Sequence, residues 1–136
     1  METQIVRVTD VTRTSLHMVS GLATVQYAIE EMNKHRVSSL VIERRNDDDE
    51  YGVITVQDIA AKVVAINRST ERTSVYEIMT KPTLTINADM KVKYAIRLLA
   101  QLEHSRALVT DGEALLGLVN LRDLVLSYAD LEKSAG

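Results

Sequence analysis

Apolar residues follow a helical spacing in two stretches of the chain, residues 25–32 and 92–99. In each stretch apolar side chains recur at positions i, i+3, i+4 and i+7, which places them on one face of a helix. These residues are Val25, Ala28, Ile29 and Met32 in the first stretch and Val92, Ala95, Ile96 and Leu99 in the second. The pattern predicts two matching amphipathic helices, and Asp89 is the predicted N-cap of the second.

A short apolar run follows each helix, as is typical of a buried strand. The runs are SSLVI (38–42) and RALVT (106–110). Polar turn sequences come next, NDDDE (46–50) and DGE (111–113). Each turn predicts a hairpin to a second strand, and a further helix follows that strand. The acidic run lacks the spacing of a calcium-binding loop, so it is interpreted as a solvated turn.

The two halves are copies of one another. Residues 25–42 align with residues 92–109 without a gap at an offset of 67, and GVITVQD (52–58) aligns with GLVNLRD (117–123) after a shorter loop. The number of identical residues at this single offset is greater than a shared apolar pattern alone would produce. The predicted boundaries are residues 1–70 for the first copy and 71–136 for the second.

Each copy is an α+β unit, a small three-stranded sheet with two helices. A unit of about 60 residues has little core of its own. We therefore expect the copies to pack sheet to sheet about a pseudo-twofold axis as one compact domain. Clefts between such units are favourable places for small molecules.

Composition excludes several classes of site. The net charge is −3 without a basic stripe, which argues against nucleic acid as the partner. The absence of cysteine excludes disulfides, thiolate zinc sites and cysteine nucleophiles. No apolar run is long enough to span a membrane, and the sequence begins without a signal segment, so a cytoplasmic protein is expected. The three histidines have no metal-ligand spacing, so no metal site is predicted.

A candidate ligand site lies where the second hairpin strand of each copy meets the following helix. Thr55 and Asp58 stand there in the first copy, and Asn120 and Asp123 in the second. The first N–H groups of a helix are suited to phosphate, and an ionised Asp accepts hydrogen bonds from both hydroxyls of a ribose. The alternative is a capping box, which requires no ligand. One side chain can serve in both roles.

The repeated Gly-apolar-apolar-Thr/Asn-x-x-Asp phrase resembles the cystathionine-β-synthase (CBS) domain, which normally occurs as a tandem pair. The segments HRVSSLVI (35–42) and VYEIMTKP (75–82) are also similar to that family. The resemblance covers about residues 8–130. It implies a regulatory module, not an enzyme, that binds AMP, ADP or ATP in the clefts between the two motifs and requires no cofactor. Some members instead bind S-adenosylmethionine, and others bind nothing known.

The resemblance also implies which residues form the clefts. Carried over, one cleft takes Thr12, His17 and Val37 with Arg106, Asn120 and Asp123, and the other takes Thr80, Leu84 and Ser105 with Thr55 and Asp58. Ser38 stands in the first copy where Ser105 stands in the second, directly before the apolar strand. Arg106 matches a position that often carries a phosphate-binding basic residue, and the alternative is an exposed arginine at a strand edge.

The helix DIAAKVVAI (58–66) is apolar almost all round, whereas a surface helix needs only an apolar stripe. One face is expected to cover its own sheet and the other to meet a second chain, which predicts a homodimer. Two function classes follow. The first is a nucleotide sensor that signals to an unknown effector protein. The second is a dimerisation or protein-interaction module without a ligand.

Overall fold

The computed structural model describes residues 6–135, with side chains over residues 6–130. Each copy contributes one three-stranded sheet and two helices. The first contains β1 (Met18–Val19), α1 (Val25–His35), β2 (Ser39–Ile42), β3 (Gly52–Thr55) and α2 (Val56–Ile59). The second contains β4 (Thr85–Asn87), α3 (Val92–Leu102), β5 (Arg106–Asp111), β6 (Ala114–Asn120) and α4 (Leu121–Ala135). The α+β class and the three-stranded sheets are confirmed.

Both sheets have the same topology. The first strand runs parallel to the second, and the second pairs with the third as an antiparallel hairpin. In this arrangement the start of β2 lies opposite the end of β3, and the start of β5 lies opposite the end of β6. The polar residues at those strand ends therefore meet at one edge of each sheet.

The chain forms two compact units, which do not coincide with the two sequence copies. The contiguous unit runs from Leu16 to Thr83, and the split unit joins the N-terminal segment up to Ser15 to the chain from Leu84 onward. The predicted boundary at residue 70 thus falls inside the contiguous unit. Each sheet packs with a segment that precedes the other copy in the sequence.

These two segments share one local structure. We call residues 7–13 the first leading segment and residues 74–80 the second leading segment. Each begins with a 3₁₀ turn, Val8–Asp10 or Val75–Glu77, in which the acid at the third position accepts a hydrogen bond from the backbone N–H of the preceding cap residue. The first valine of each turn is fully buried in the core of its unit. The leading segments are thus part of the repeat, still at an offset of 67.

Helix starts differ between the copies. The Thr24 hydroxyl oxygen caps α1 by accepting from the Tyr27 N–H at 3.0 Å. The predicted cap at Asp89 is wrong, since the N-cap of α3 is Lys91, whose side chain makes no capping hydrogen bond. The Asp89 carbonyl oxygen instead accepts from the Arg7 guanidinium at 2.7 Å. The first leading segment therefore contacts the chain at the residue predicted to cap α3.

The helix predicted over 58–66 begins at Val56 and changes geometry after one turn. Residues Ala60–Val64 form a π-helical turn, with the Ala65 N–H bonded to the Ala60 carbonyl at 2.8 Å. Val63 is fully buried in the core of the contiguous unit, whereas Val64 and Ile66 are about 60% exposed. The two apolar faces expected of this helix are therefore both present, and one of them is solvent-facing in the chain.

The acidic run 46–50 is not a wholly solvated turn. The Asp49 carboxylate is only 7% exposed and contacts two cations, Arg45 Nε at 3.0 Å and Lys81 Nζ at 2.7 Å. The interpretation of this run as solvated is wrong at Asp49. This ion-pair cluster ties the β2–β3 hairpin loop to the residues just after the second leading segment.

Candidate functional site

In the contiguous unit, Thr55 and Asp58 form a reciprocal cap at the start of α2. The Thr55 side-chain oxygen accepts from the Asp58 N–H at 3.0 Å, and the Asp58 carboxylate accepts from the Thr55 N–H, also at 3.0 Å. This is the capping box that the sequence offered as an alternative to a ligand role. The other carboxylate oxygen of Asp58 lies 3.4 Å from Lys62 Nζ.

In the split unit, Asn120 takes the position of Thr55. Its side-chain oxygen accepts from the Asp123 N–H at 2.7 Å, so the amide replaces the hydroxyl as helix cap. The Asp123 carboxylate is 18% exposed and accepts from Arg13 Nε at 2.9 Å. Arg122 is more distant, with its nearest nitrogen 3.8 Å from the same carboxylate.

The starts of the central strands complete each site edge. Ser39 pairs with Thr55 in the first sheet, and Arg106 pairs with Asn120 in the second. The carbonyl oxygens of Ser38 and Ser105 accept from the first N–H of α2 and α4, at 3.0 and 2.8 Å. Each of these serines thereby joins its central strand to the helix that carries the aspartate.

Each leading segment lies beside the third strand of its own unit. Thr80 exchanges two backbone hydrogen bonds with Val53, and Arg13 exchanges two with Leu118, all between 2.9 and 3.0 Å. Arg13 is therefore the structural counterpart of Thr80. Thr12, the residue predicted for this role, is one position away, and its hydroxyl donates to the Val8 carbonyl oxygen at 2.7 Å.

The structure divides the predicted site residues between the units. The contiguous unit contains His17, Val37, Ser38, Thr55, Asp58 and Thr80, and the split unit contains Thr12, Leu84, Ser105, Arg106, Asn120 and Asp123. The His17 ring stacks on His35 at a centroid distance of 3.8 Å. Val37 lines a groove beside α1 and α2, and Leu84 packs against the core of its unit. These three side chains thus have structural contacts of their own.

Sequence reasoning missed Arg13. The signal was present, because the offset of 67 that aligns the two helices also places Arg13 on Thr80 and Val8 on Val75. The first leading segment has no proline or methionine at the positions of EIMTKP, which hid the correspondence. Extending the same ungapped offset upstream from residue 25 to Val8 would have found it.

Two cavities open in the contiguous unit, and the smaller one is lined by Val37 and Val56, next to Ser38 and Thr55. The larger one, about 800 Å³, is lined by residues that follow β1 and β2 and by the second leading segment, including Arg44, Tyr76 and Lys81. None of the predicted site residues lines it. Over the part of the chain that is described, no group of histidines and acids is arranged to hold a metal ion. Nor does any helix there have the length and apolar character needed to cross a membrane.

Comparison with known proteins gives the family. The model of the CBS domain matches residues 8–65 and again residues 75–130, so each match begins at the buried valine of a leading segment. The chain belongs to the CBS-domain family. A curated CBS relative, the CBS domain-containing protein YhcV of Bacillus subtilis, is 31% identical over 129 residues, which cover 95% of this chain and 89% of YhcV.

Solved CBS-domain structures share the fold. The hexameric CBS-CP12 protein from bloom-forming cyanobacteria superposes with a TM-score of 0.89 at 31% identity, covering 96% of this chain and 77% of that one. The CBS-domain pair of protein MJ0100, in complex with 5′-methylthioadenosine and S-adenosyl-L-methionine, gives a TM-score of 0.78 at 23% identity, covering 93% and 98% of the two chains. At that identity the likeness is one of fold.

Some curated relatives are longer. The chain spans about half the length of two that it matches, 48% of a Methanopyrus kandleri protein and 51% of a mitochondrial Arabidopsis thaliana protein.

Proposed function

We propose that this CBS-domain pair is a regulatory module that binds an adenine nucleotide, AMP, ADP or ATP, and signals its presence to a partner protein. The observation that carries the proposal is the polar edge of the split unit. There Asn120 caps α4, Asp123 holds a carboxylate that is 18% exposed, and Arg13 contributes a guanidinium 2.9 Å away. One acceptor and one cation suit a ligand with ribose hydroxyls and a phosphate.

The role of each group follows from its chemistry. The Asp123 carboxylate accepts hydrogen bonds only, so it can take both hydroxyls of a ribose. The N–H groups at the start of α4, a helix of 15 residues, favour negative charge, and Arg106 begins the strand directly opposite Asn120. The contiguous unit offers a related edge with Thr55, Asp58 and Ser39, and it carries hydroxyls where the split unit carries Asn120 and Arg106. We therefore rank the split unit as the tighter phosphate site.

A thermal-shift titration tests the proposal. A ligand at 100 times its dissociation constant stabilises the fold by about 2.7 kcal/mol. We expect AMP, ADP or ATP to raise the melting midpoint of the wild-type chain, and we expect Asp123→Ala to reduce that rise. Asp130→Ala removes an exposed carboxylate further along the same helix and serves as the matched control. No shift with any of these nucleotides would overturn the proposal, and a shift with S-adenosylmethionine alone would reassign the ligand.

A second candidate function, self-association without a ligand, is supported by one specific surface. Val56, Val64 and Ile66 are each about half exposed or more, and the first two line an apolar groove next to α1. We propose that this face joins two chains into a homodimer. The two candidates are compatible, since the face and the polar edge use different residues.

A further inference from the structure

The acceptor proposed for ribose already has a partner. Arg13 Nε lies 2.9 Å from Asp123 Oδ2, and the arginine side chain is 63% exposed while the carboxylate is largely covered. A ribose that donates both hydroxyls to Asp123 must therefore compete with the guanidinium. The contact joins Arg13, which was not predicted from the sequence, to Asp123, which was predicted from the repeat.

The equivalent aspartate of the contiguous unit has a different partner. Asp58 lies 3.4 Å from Lys62, which is in the π turn that follows α2 and also donates to the Ile78 carbonyl oxygen at 3.1 Å. The counterpart of Arg13 there is Thr80, a side chain that carries no charge. The guanidinium beside the proposed ribose acceptor is therefore particular to the split unit.

The backbone of Arg13 is fixed while its head group is exposed. Two backbone hydrogen bonds to Leu118 hold the residue, so only the side chain is available to move. An exposed ion pair is a weak contact that a competing ligand can replace. A guanidinium freed from a carboxylate is well suited to phosphate, since its planar fork of donors matches phosphate oxygens.

We infer that Arg13 makes the split unit selective for phosphorylated over unphosphorylated nucleosides. When a nucleoside binds, ribose displaces the guanidinium from Asp123 and nothing replaces that contact. When a nucleoside phosphate binds, the displaced guanidinium pairs with the phosphate. The cost of breaking the ion pair is therefore offset only for the phosphorylated ligand. This inference rests on the proposed function and names the specificity residue of that same site.

Calorimetric titrations with AMP and with adenosine test the inference, using the full chain. All variants carry Asp58→Ala, so that the contiguous unit does not contribute to the measured binding. In Arg13→Thr, which installs the residue found at the equivalent position of the other copy, we expect AMP to bind about tenfold more weakly. Tenfold corresponds to about 1.4 kcal/mol, which is within reach of one hydrogen bond to a charged group. Adenosine should bind as well as before or up to about fivefold more tightly, because Asp123 is no longer paired.

Two further variants sharpen the test. Arg13→Lys keeps the charge without the fork, so its AMP-to-adenosine preference should fall less than that of Arg13→Thr. Arg97→Thr removes an exposed arginine of the same unit whose guanidinium lies over the Tyr94 ring, and it should leave the preference unchanged. A normal melting midpoint for Arg13→Thr checks that the backbone pairing with Leu118 persists.

The outcomes separate the two ideas. If AMP and adenosine both bind but Arg13→Thr leaves their ratio unchanged, or weakens both equally, the inference about Arg13 is overturned and the proposed function stands. If neither ligand binds the chain with or without Asp58→Ala, the proposed function fails and the selectivity with it. A fall of about tenfold or more in the ratio, confined to the Arg13 variants, supports the inference.

Discussion

At the scale of single residues, Gly52 and Gly117 each leave room for a leading segment against the third strand of the unit. Each belongs to the third strand, and a leading segment passes directly over it. A Cβ at Gly117 would overlap the Arg13 carbonyl oxygen and the Thr12 methyl carbon. A Cβ at Gly52 would meet the Thr80 carbonyl oxygen at 3.1 Å and the Met79 sulfur at 3.3 Å, which is tight but closer to ordinary contact. The first leading segment thus approaches its sheet more closely.

This difference gives a prediction for a matched pair of variants. Gly117→Ala should destabilise the protein by about 1–3 kcal/mol, the usual range for forcing an extra carbon into a packed place. Gly52→Ala should cost less, because a methionine sulfur can shift. Denaturant unfolding of both variants measures the difference. Equal costs would mean that the first leading segment lies further from β6 than the structure has it.

The second prediction at this scale concerns acid. Hydrogen bonds from Arg45 and Lys81 lower the pKa of Asp49 well below its ordinary value. A carboxyl with a lowered folded-state pKa stabilises the fold above its unfolded pKa, near 3.9, and this contribution is lost as the pH falls further. Asp49→Asn should therefore lower the melting midpoint at pH 7, and the difference from wild type should shrink as the pH falls below about 4.

Asp48→Asn is the control for this experiment. Asp48 is an exposed neighbour in the same loop, so its replacement should change the midpoint little at any pH. A constant difference between Asp49→Asn and wild type from pH 7 to pH 3 would contradict the assignment of the ion-pair cluster. The sequence could not distinguish Asp49 from Asp48, because Lys81 is 32 residues away along the chain.

At the scale of elements, the spacing of apolar residues predicted the two helices whose apolar faces pack into the cores. The i, i+3, i+4, i+7 residues of α1 and α3 include the buried Val25, Ala28 and Met32 and their counterparts, so that pattern located both helices. Helix starts were less predictable. Asp89 has a good capping side chain, but the chain reaches helical geometry only after Lys91, because Arg7 and Val8 of the leading segment bind the carbonyl oxygens of Asp89 and Met90. A distant segment thus decides where α3 begins.

The helix after β3 offers a prediction that separates its two faces. Val63→Glu should destabilise the protein by about 3–5 kcal/mol, because the carboxylate would be buried without a partner. Val64→Glu, at the next position, should leave the stability of the single chain nearly unchanged, because that side chain is 59% exposed. Thermal unfolding of the two variants at low protein concentration tests this. A large loss for Val64→Glu alone would reverse the assignment of the faces.

At the scale of the whole molecule, the mass in solution tests the proposed homodimer. Ile66→Glu places a charge at an exposed apolar residue just after the π turn, so it should shift the protein to a single-chain mass in sedimentation or size-exclusion experiments. Leu22→Glu is the control, since Leu22 is 83% exposed and lines the other cavity of the same unit. A wild-type chain that is already monomeric, or a mass unaffected by Ile66→Glu, would remove the support for this face as a contact.

The repeat could be predicted from the sequence, but which segments make up each compact unit could not. Identities at an offset of 67 located the two copies, yet they cannot tell whether a leading segment packs with the copy that follows it or with the other one. Val8 and Val75 have the same apolar neighbours in sequence under either arrangement. Which core buries them is decided by pairing across more than 100 residues for Arg13 with Leu118, and across 27 for Thr80 with Val53. Local pattern carries no information on that choice.

The same division has a consequence for the newly made chain. Synthesis runs from the N-terminus, at about 5–20 residues per second. All residues of the contiguous unit have been added once Thr83 has been made, whereas residues 7–13 have no strand to pair with until Leu118 exists. Val8 then waits on the order of ten seconds with its apolar side chain in water. Thr80 is made 38 residues before Leu118, so β3 has its own partner before the partner of the first leading segment exists.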